Sequence, residues 1–261
     1  MDALPQRHRG IRRVIPRANV TAWRSSVPWS SDSQVEQDLV LCRGLVSIFS
    51  EDSLAMLLAF RGGTELHKLH LKPPARYSED IDLVQRQPGP IKDIADAIRA
   101  QLAWLGEPSY QARANAFRLE YRFSSEIPPV TPLRLKIEID TREHFSVLPL
   151  RTERVDVRNP WSSGGVGIPT FDLDVALQRG IFEPAVAVRC FGEYLSRAGL
   201  AVSRAEFEEN LARKMDDKAF REDIDPLLVT GTTYDPFRAY EKVKEQVLSC
   251  LPGEGWRGRI R

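Results

Sequence analysis

The sequence predicts an α+β protein, a mixed sheet with helices on it followed by a helical C-terminal region. Three observations point there. Val35, Leu39, Cys42, Leu45, Val46 and Phe49 recur at helical intervals. The pattern then switches to period-two alternation around Asp80–Asp82, from Gln111 to Phe123 and from Leu133 to Asp140. Beyond a Gly/Ser-rich stretch after Trp161 the apolar spacing is helical again. Helix, turn, strand, helix, strand, strand is the order of a mixed sheet, not of a helical bundle.

Length and composition bound the rest. A chain of 261 residues can bury a substantial core, as one large domain or two modest ones. With 37 basic and 36 acidic side chains the net charge is +1, so any basic surface is local. Cys42, Cys190 and Cys250 are widely separated and odd in number, which fits neither a zinc site nor a disulfide framework. The default is a reducing, cytoplasmic location. No apolar run reaches the length of a membrane span, and the N-terminus lacks the apolar core of a signal peptide, so no membrane partner is expected.

In order, residues 1–32 carry Arg7, Arg9, Arg12, Arg13, Arg17 and Arg24 against Asp2, and read as a basic arm that touches RNA phosphates or a partner, or as a solvated tail. Ser33 stands three residues before Glu36, a capping-box spacing that opens a helix over 34–49. The apolar segment Leu54–Phe60 runs into Gly62-Gly63. Gln87–Pro90 break the chain before an amphipathic helix carrying Ile91, Ile94, Ala95, Ile98 and Leu102 and ending near Gly106. Pro128, Pro129 and Pro132 separate the next two strands. The stretch SSGGVG reads as a linker or exposed turn and places a boundary near residue 165. The expected division is thus an arm over 1–32, a sheet domain over 33–165 and a helical domain over 166–261. In the last, Ser203 and Glu206 form a second capping box and 240–251 closes the chain with a helix.

Chemistry concentrates between Phe60 and Val84. Alternation puts Asp80 and Asp82 on one strand face, and two adjacent carboxylates repel unless cations lie between them. That pattern points to Mg²⁺ and phosphate chemistry. Lys136, Glu138 and Asp140 share a face of LRLKIEID; if that strand lies beside the Asp80 strand, Glu138 becomes the third carboxylate of a metal cage. Gly62 and Gly63 let the backbone approach a triphosphate, and Thr64 adds N–H and hydroxyl donors. Arg76 and Lys136 are phosphate contacts beside the acids or counter-ions that hold the carboxylates together. His67 and His70 have metal-ligand spacing but no third His or Cys nearby, which favours packing or surface roles. Ser47 and Ser78 have no neighbouring histidine, so a Ser-His-Asp hydrolase finds no support.

The stretch GGTELHKLHLKPPARYSEDIDLV resembles the AbiEii/AbiGii toxin family of polymerase-beta-like nucleotidyltransferases, with its Gly-Gly-Thr/Ser turn and Arg-Phe/Tyr-Ser-x-Asp-x-Asp pattern. KIEIDTREHF matches the family's Lys-x-Glu strand, with Asp140 where Asn is expected; VEQDLVLCRGLV and SRAEFEENLARKM extend the resemblance over most of the chain. It implies a nucleotidyltransferase-fold mixed sheet with a helical C-terminal domain. Asp80, Asp82 and Glu138 would hold Mg²⁺, while Gly62, Gly63, Thr64, Arg76, Ser78 and Lys136 bind the NTP. It also implies tRNA acceptor ends as targets and a cognate antitoxin, usually a winged-helix protein. At FDLDVALQRG, Phe171 to Gly180, the sequence departs from the pattern: about twenty residues, some five or six helical turns bearing the family's lysine, are missing. Asp172 is then either the family's downstream acid or its upstream flank. Lys68 or Arg179 would have to replace the lysine in space, or activity is reduced or lost. A catalytically degenerate binding module is the alternative, and a phosphodiesterase or nuclease using the same acids is a third reading.

Overall fold

The computed structural model describes residues 14–71, 73–74, 76–170 and 183–258. Among them seven strands form one mixed sheet in the order β3-β4-β5-β2-β1-β7-β6. They are β1 (Leu58–Arg61), β2 (Asp80–Gln85), β3 (Ser109–Ala112), β4 (Ala116–Ser124), β5 (Pro132–Asp140), β6 (Arg151–Asn159) and β7 (Ser162–Thr170). β2 runs parallel to β5 and β1 to β7; the other neighbours are antiparallel.

Alternation explains which face is covered. Ile81, Leu83, Leu119, Tyr121, Leu135, Ile137 and Ile139 are buried in one cluster with Leu39, Leu41, Leu45 and Ile48 of helix α2 (Asp32–Phe49). The intervening residues Asp80, Asp82, Arg118, Glu120, Lys136 and Glu138 take the other face. Ile94 and Ile98 of α5 (Ile91–Gln101) complete the same core. The run expected from Gln111 to Phe123 is two strands, reversed at 113–115, where the Arg113 N–H donates to Ala116 at 2.8 Å.

Three expectations are corrected. Residues 14–32 are no arm: α1 (Arg17–Trp23) and its flanks bury Ile15, Val20, Trp23 and Trp29, and Trp23 Nε1 donates to Asp38 at 2.9 Å. The apolar residues outweigh the flanking arginines; residues 1–13 lie outside the described residues. Ser33–Glu36 forms no capping box, because Glu36 is buried and both its oxygens accept from the Glu126 N–H, at 3.0 and 2.8 Å. The Gly/Ser stretch is no linker but strand β7, paired along its length with β6. A cut at 165 would fall inside it. Its glycines make room for cross-strand neighbours: a Cβ on Gly167 would lie 2.7 Å from Thr152.

A short helix, α3 (Asp52–Leu57), precedes β1, and beyond β7 the described chain is a helical region. It contains α6 (Pro184–Arg197), α7 (Arg204–Asp216), α8 (Lys218–Glu222) and α9 (Pro236–Gln246). The Ser203–Glu206 capping box forms as expected. This region returns to the sheet domain: the Tyr77 N–H donates to Leu227 at 2.7 Å, and Leu227 and Val229 pack on the core.

Candidate active site

Registers across four strands build the site. Arg61 of β1 lies opposite Asp82 of β2, Asp82 opposite Glu138 of β5, and Glu138 opposite Arg118 of β4. In-register partners share a sheet face, so two carboxylates stand side by side between two arginines, on strands about 4.8 Å apart. One step along, Asp80 lies opposite Lys136, and Lys136 opposite Glu120. The condition set by the sequence is met: the Glu138 strand is the neighbour of the Asp80 strand.

Gly62-Gly63-Thr64 is the first turn of a helix rather than a loop. α4 (Gly62–Glu65) runs on as a π-helical turn, Leu66–His70. Gly62 has φ +89°, and a Cβ there would sit 2.5 Å from Asp82 Oδ2. Glycine is required on both counts. A Cβ on Gly63 would run into the Arg76 guanidinium, and Thr64 Oγ1 lies 2.7 Å from Ser78 Oγ. Arg76 and Ser78 thus close over the helix start, and the start itself is pressed on the Asp82 carboxylate. A cleft of about 260 Å³ opens there, lined by Arg61, Gly62, Asp82, Glu138 and Asp140.

Each acid has its own electrostatic setting. Burial, with Asp80 and Glu138 adding like charge, pushes the Asp82 carboxyl above its ordinary value. Glu138 is held below its ordinary value by Arg118, whose Nε and Nη2 both donate to Oε2, at 3.1 and 2.8 Å. Lys136 pairs with Asp80, whose second oxygen is buried with no hydrogen-bond partner. Asp140 accepts from Arg61 Nη2 at 3.0 Å. A divalent cation fits Asp80 and Asp82, which offer an unpartnered oxygen and a carboxylate crowded by negative charge. A three-acid cage is not preformed: among the described residues no group of three His, Cys, Asp or Glu converges, and Glu138 is turned to Arg118.

The remaining candidates lie elsewhere. His70 Nε2 meets Glu65 at 2.7 Å; His67 is buried edge-on to Trp29, and burial lowers its pKa to about 4. Both are packing residues. Lys68 is 2.5 Å from Asp38, a fully buried carboxylate that burial would raise and Lys68 holds low, so it is committed away from the cleft. Arg179 and Asp172 lie outside the described residues. A cavity of about 530 Å³ beside Trp29, His67 and Lys68 shares no lining residue with the carboxylate cleft. Arg61 was missed by sequence reasoning. The signal was its place directly before Gly62 at the end of a short apolar strand, which puts the one non-apolar side chain of that strand at the helix start.

Residues 43–171 match the sequence model of the family described as Nucleotidyl transferase AbiEii toxin, Type IV TA system. The match ends at Phe171, the first residue of FDLDVALQRG. No curated protein matches the chain. Among solved structures it is similar to MenT4, a nucleotidyltransferase toxin from Mycobacterium tuberculosis, at 16% identity over 91% of each chain with a TM-score of 0.48. It is also similar to JHP933 from Helicobacter pylori, at 11% identity over 84% of this chain and 92% of that one, with a TM-score of 0.46. Residues 43–171 thus carry a domain that matches the AbiEii nucleotidyltransferase toxins of type IV toxin–antitoxin systems.

Proposed function

We propose that this chain transfers a nucleoside monophosphate from an NTP to an RNA hydroxyl, at the acceptor end of tRNA, or to a protein hydroxyl, and that a cognate antitoxin restrains it in the cytoplasm. The observation that carries the reading is the register of Asp82 with Glu138 beside a helix start, Gly62, that leaves no space between backbone and carboxylate. Asp80, Asp82 and Glu138 would hold Mg²⁺, Glu138 joining when Arg118 releases it. Bound there, the ion would neutralise phosphate charge and lower the pKa of an acceptor hydroxyl.

The chain's own groups do the rest. N–H groups at Gly62, Gly63 and Thr64 face the phosphates, and Arg76 and Ser78 close over them. Lys136, displaced from Asp80, supplies a further positive charge. The acceptor oxygen then bonds to the α-phosphorus and pyrophosphate leaves. We take the transferase unit as the sheet with its helices and the described residues from 183 onward as a helical unit docked on it.

A degenerate binding module is the second reading, favoured by Glu138 being tied to Arg118 and by the absent lysine segment. Growth on expression separates the two: arrest by the wild type and none by the Asp80→Ala, Asp82→Ala double variant supports transfer. Equal harmlessness of both contradicts it. Product length separates a nuclease from a transferase, since transfer to RNA lengthens it and hydrolysis shortens it.

A further inference from the structure

Arg61 lines the carboxylate cleft and has no part in the roles above. Its register with Asp82 puts its guanidinium on the acid face, and its neighbour Gly62 begins the helix proposed to receive the phosphates. Of the other cations near the acids, Lys136 is paired with Asp80 and Arg118 with Glu138, while Arg76 closes over Gly63. Arg61 is held differently, by two acids at its tip. Nη2 donates to Asp140 at 3.0 Å and Nη1 to Glu143 at 2.7 Å, which leaves Nε with no hydrogen-bond partner among the described residues. Its side chain is 37% exposed, so solutes reach it.

Asp140 shows how the arginine is aimed. Its Oδ1 accepts from the backbone N–H groups of Arg142 and Glu143, at 2.8 and 3.0 Å, which fixes the carboxylate on its own turn and points Oδ2 at the guanidinium. An asparagine at 140 would still cap the turn through its carbonyl, but would face Arg61 with N–H groups. The acid at this position therefore serves the arginine, although it shares a strand face with Lys136 and Glu138.

We propose that Arg61 binds the triphosphate of the incoming nucleotide, with Asp140 and Glu143 as positioning residues. The assignment rests on the nucleotidyl-transfer reading. A planar guanidinium with a free N–H edge matches two phosphate oxygens at once, and the cleft beside Gly62 brings them within its reach.

Calorimetric titration tests it, using a non-hydrolysable α,β-imido NTP with Mg²⁺ and, separately, inorganic tripolyphosphate with Mg²⁺. Arg61→Gln is expected to weaken both on the order of tenfold. Arg61→Lys, which keeps the charge without the fork, falls between, and Asp140→Asn weakens both by about threefold. Mn²⁺ affinity without nucleotide, read by electron paramagnetic resonance, stays at or above the wild-type value in both Arg61 variants, whereas Asp82→Asn lowers it. Wild-type affinity of either Arg61 variant for tripolyphosphate overturns the proposal, and so does loss of the nucleotide alone, which would put the arginine on base or ribose. If Arg61→Gln does not fold, Arg61→Lys decides. A wild type that binds neither phosphate compound, or an Asp82→Asn protein that keeps Mn²⁺, overturns the nucleotidyl-transfer reading as well.

Discussion

Arg118 competes with a cation for Glu138 by charge: both guanidinium bonds fall on Oε2, and the positive charge beside the carboxylate weakens its hold on a metal ion even at the other oxygen. Arg118→Gln removes the competing charge, and Mn²⁺ affinity is expected to rise by about threefold or more, read by the same resonance titration. An unchanged affinity would place Glu138 outside the cation site. His67 gives a second prediction at this scale. Burial holds its folded pKa at about 4, against an ordinary 6.5, so the folded protein keeps it neutral while the unfolded chain takes up a proton. Its contribution is intact above pH 6.5 and is lost as pH falls from there toward 4, by about 3 kcal/mol at most. Urea unfolding at a series of pH values should show that slope, and His67→Phe should flatten it. These features were not legible in the sequence, where Arg118 was one arginine in an alternating strand and His67 one of a spaced pair; both effects arise from neighbours distant in the chain.

Elements joined by buried charge are where the scaffold is most vulnerable. Asp38 on α2 is fully buried and satisfied by Lys68 and by the indole of Trp23, so three segments meet on one carboxylate. Lys68→Met leaves that charge without its partner and is expected to cost about 3–5 kcal/mol, measured by denaturant unfolding. An Asp38→Leu, Lys68→Met double variant should recover most of the loss, and failure to recover would mean the pair acts through something besides its charge. At this scale the sequence was informative where periodicity decided. The helix over 34–49, the face shared by Asp80 and Asp82, and the Leu135–Ile137–Ile139 stripe follow from spacing alone. It misled where composition stood in for structure. SSGGVG suggested a turn because Gly and Ser are turn residues, yet β7 uses glycine to clear Arg154, Asp156 and Thr152 on β6. Ser33 and Glu36 had capping-box spacing, yet Glu36 is drawn into the core to satisfy Glu126.

For the molecule as a whole, both ends of the described chain support the segment that carries the site. Trp29 packs edge-on to Tyr77 with centroids 5.2 Å apart, and Leu227 accepts from the Tyr77 N–H, so Arg76, Ser78 and Asp80 are anchored from two directions. The C-terminal region also packs beside the arginine's anchor: Phe145 stacks on Tyr194 of α6 at 4.7 Å, two residues beyond the Glu143 that holds Arg61. The sequence pointed to a cation and phosphate site and named its candidate acids; that Glu138 and Asp82 stand in register needed the sheet order, which no local pattern encodes. The most direct test is transfer itself. The purified full chain is incubated with α-labelled NTPs, Mg²⁺ and total tRNA, beside Asp82→Asn. Label should appear in lengthened RNA with the wild type and be absent with the variant; no label in RNA or protein from any NTP, with the wild type folded, would contradict nucleotidyl transfer.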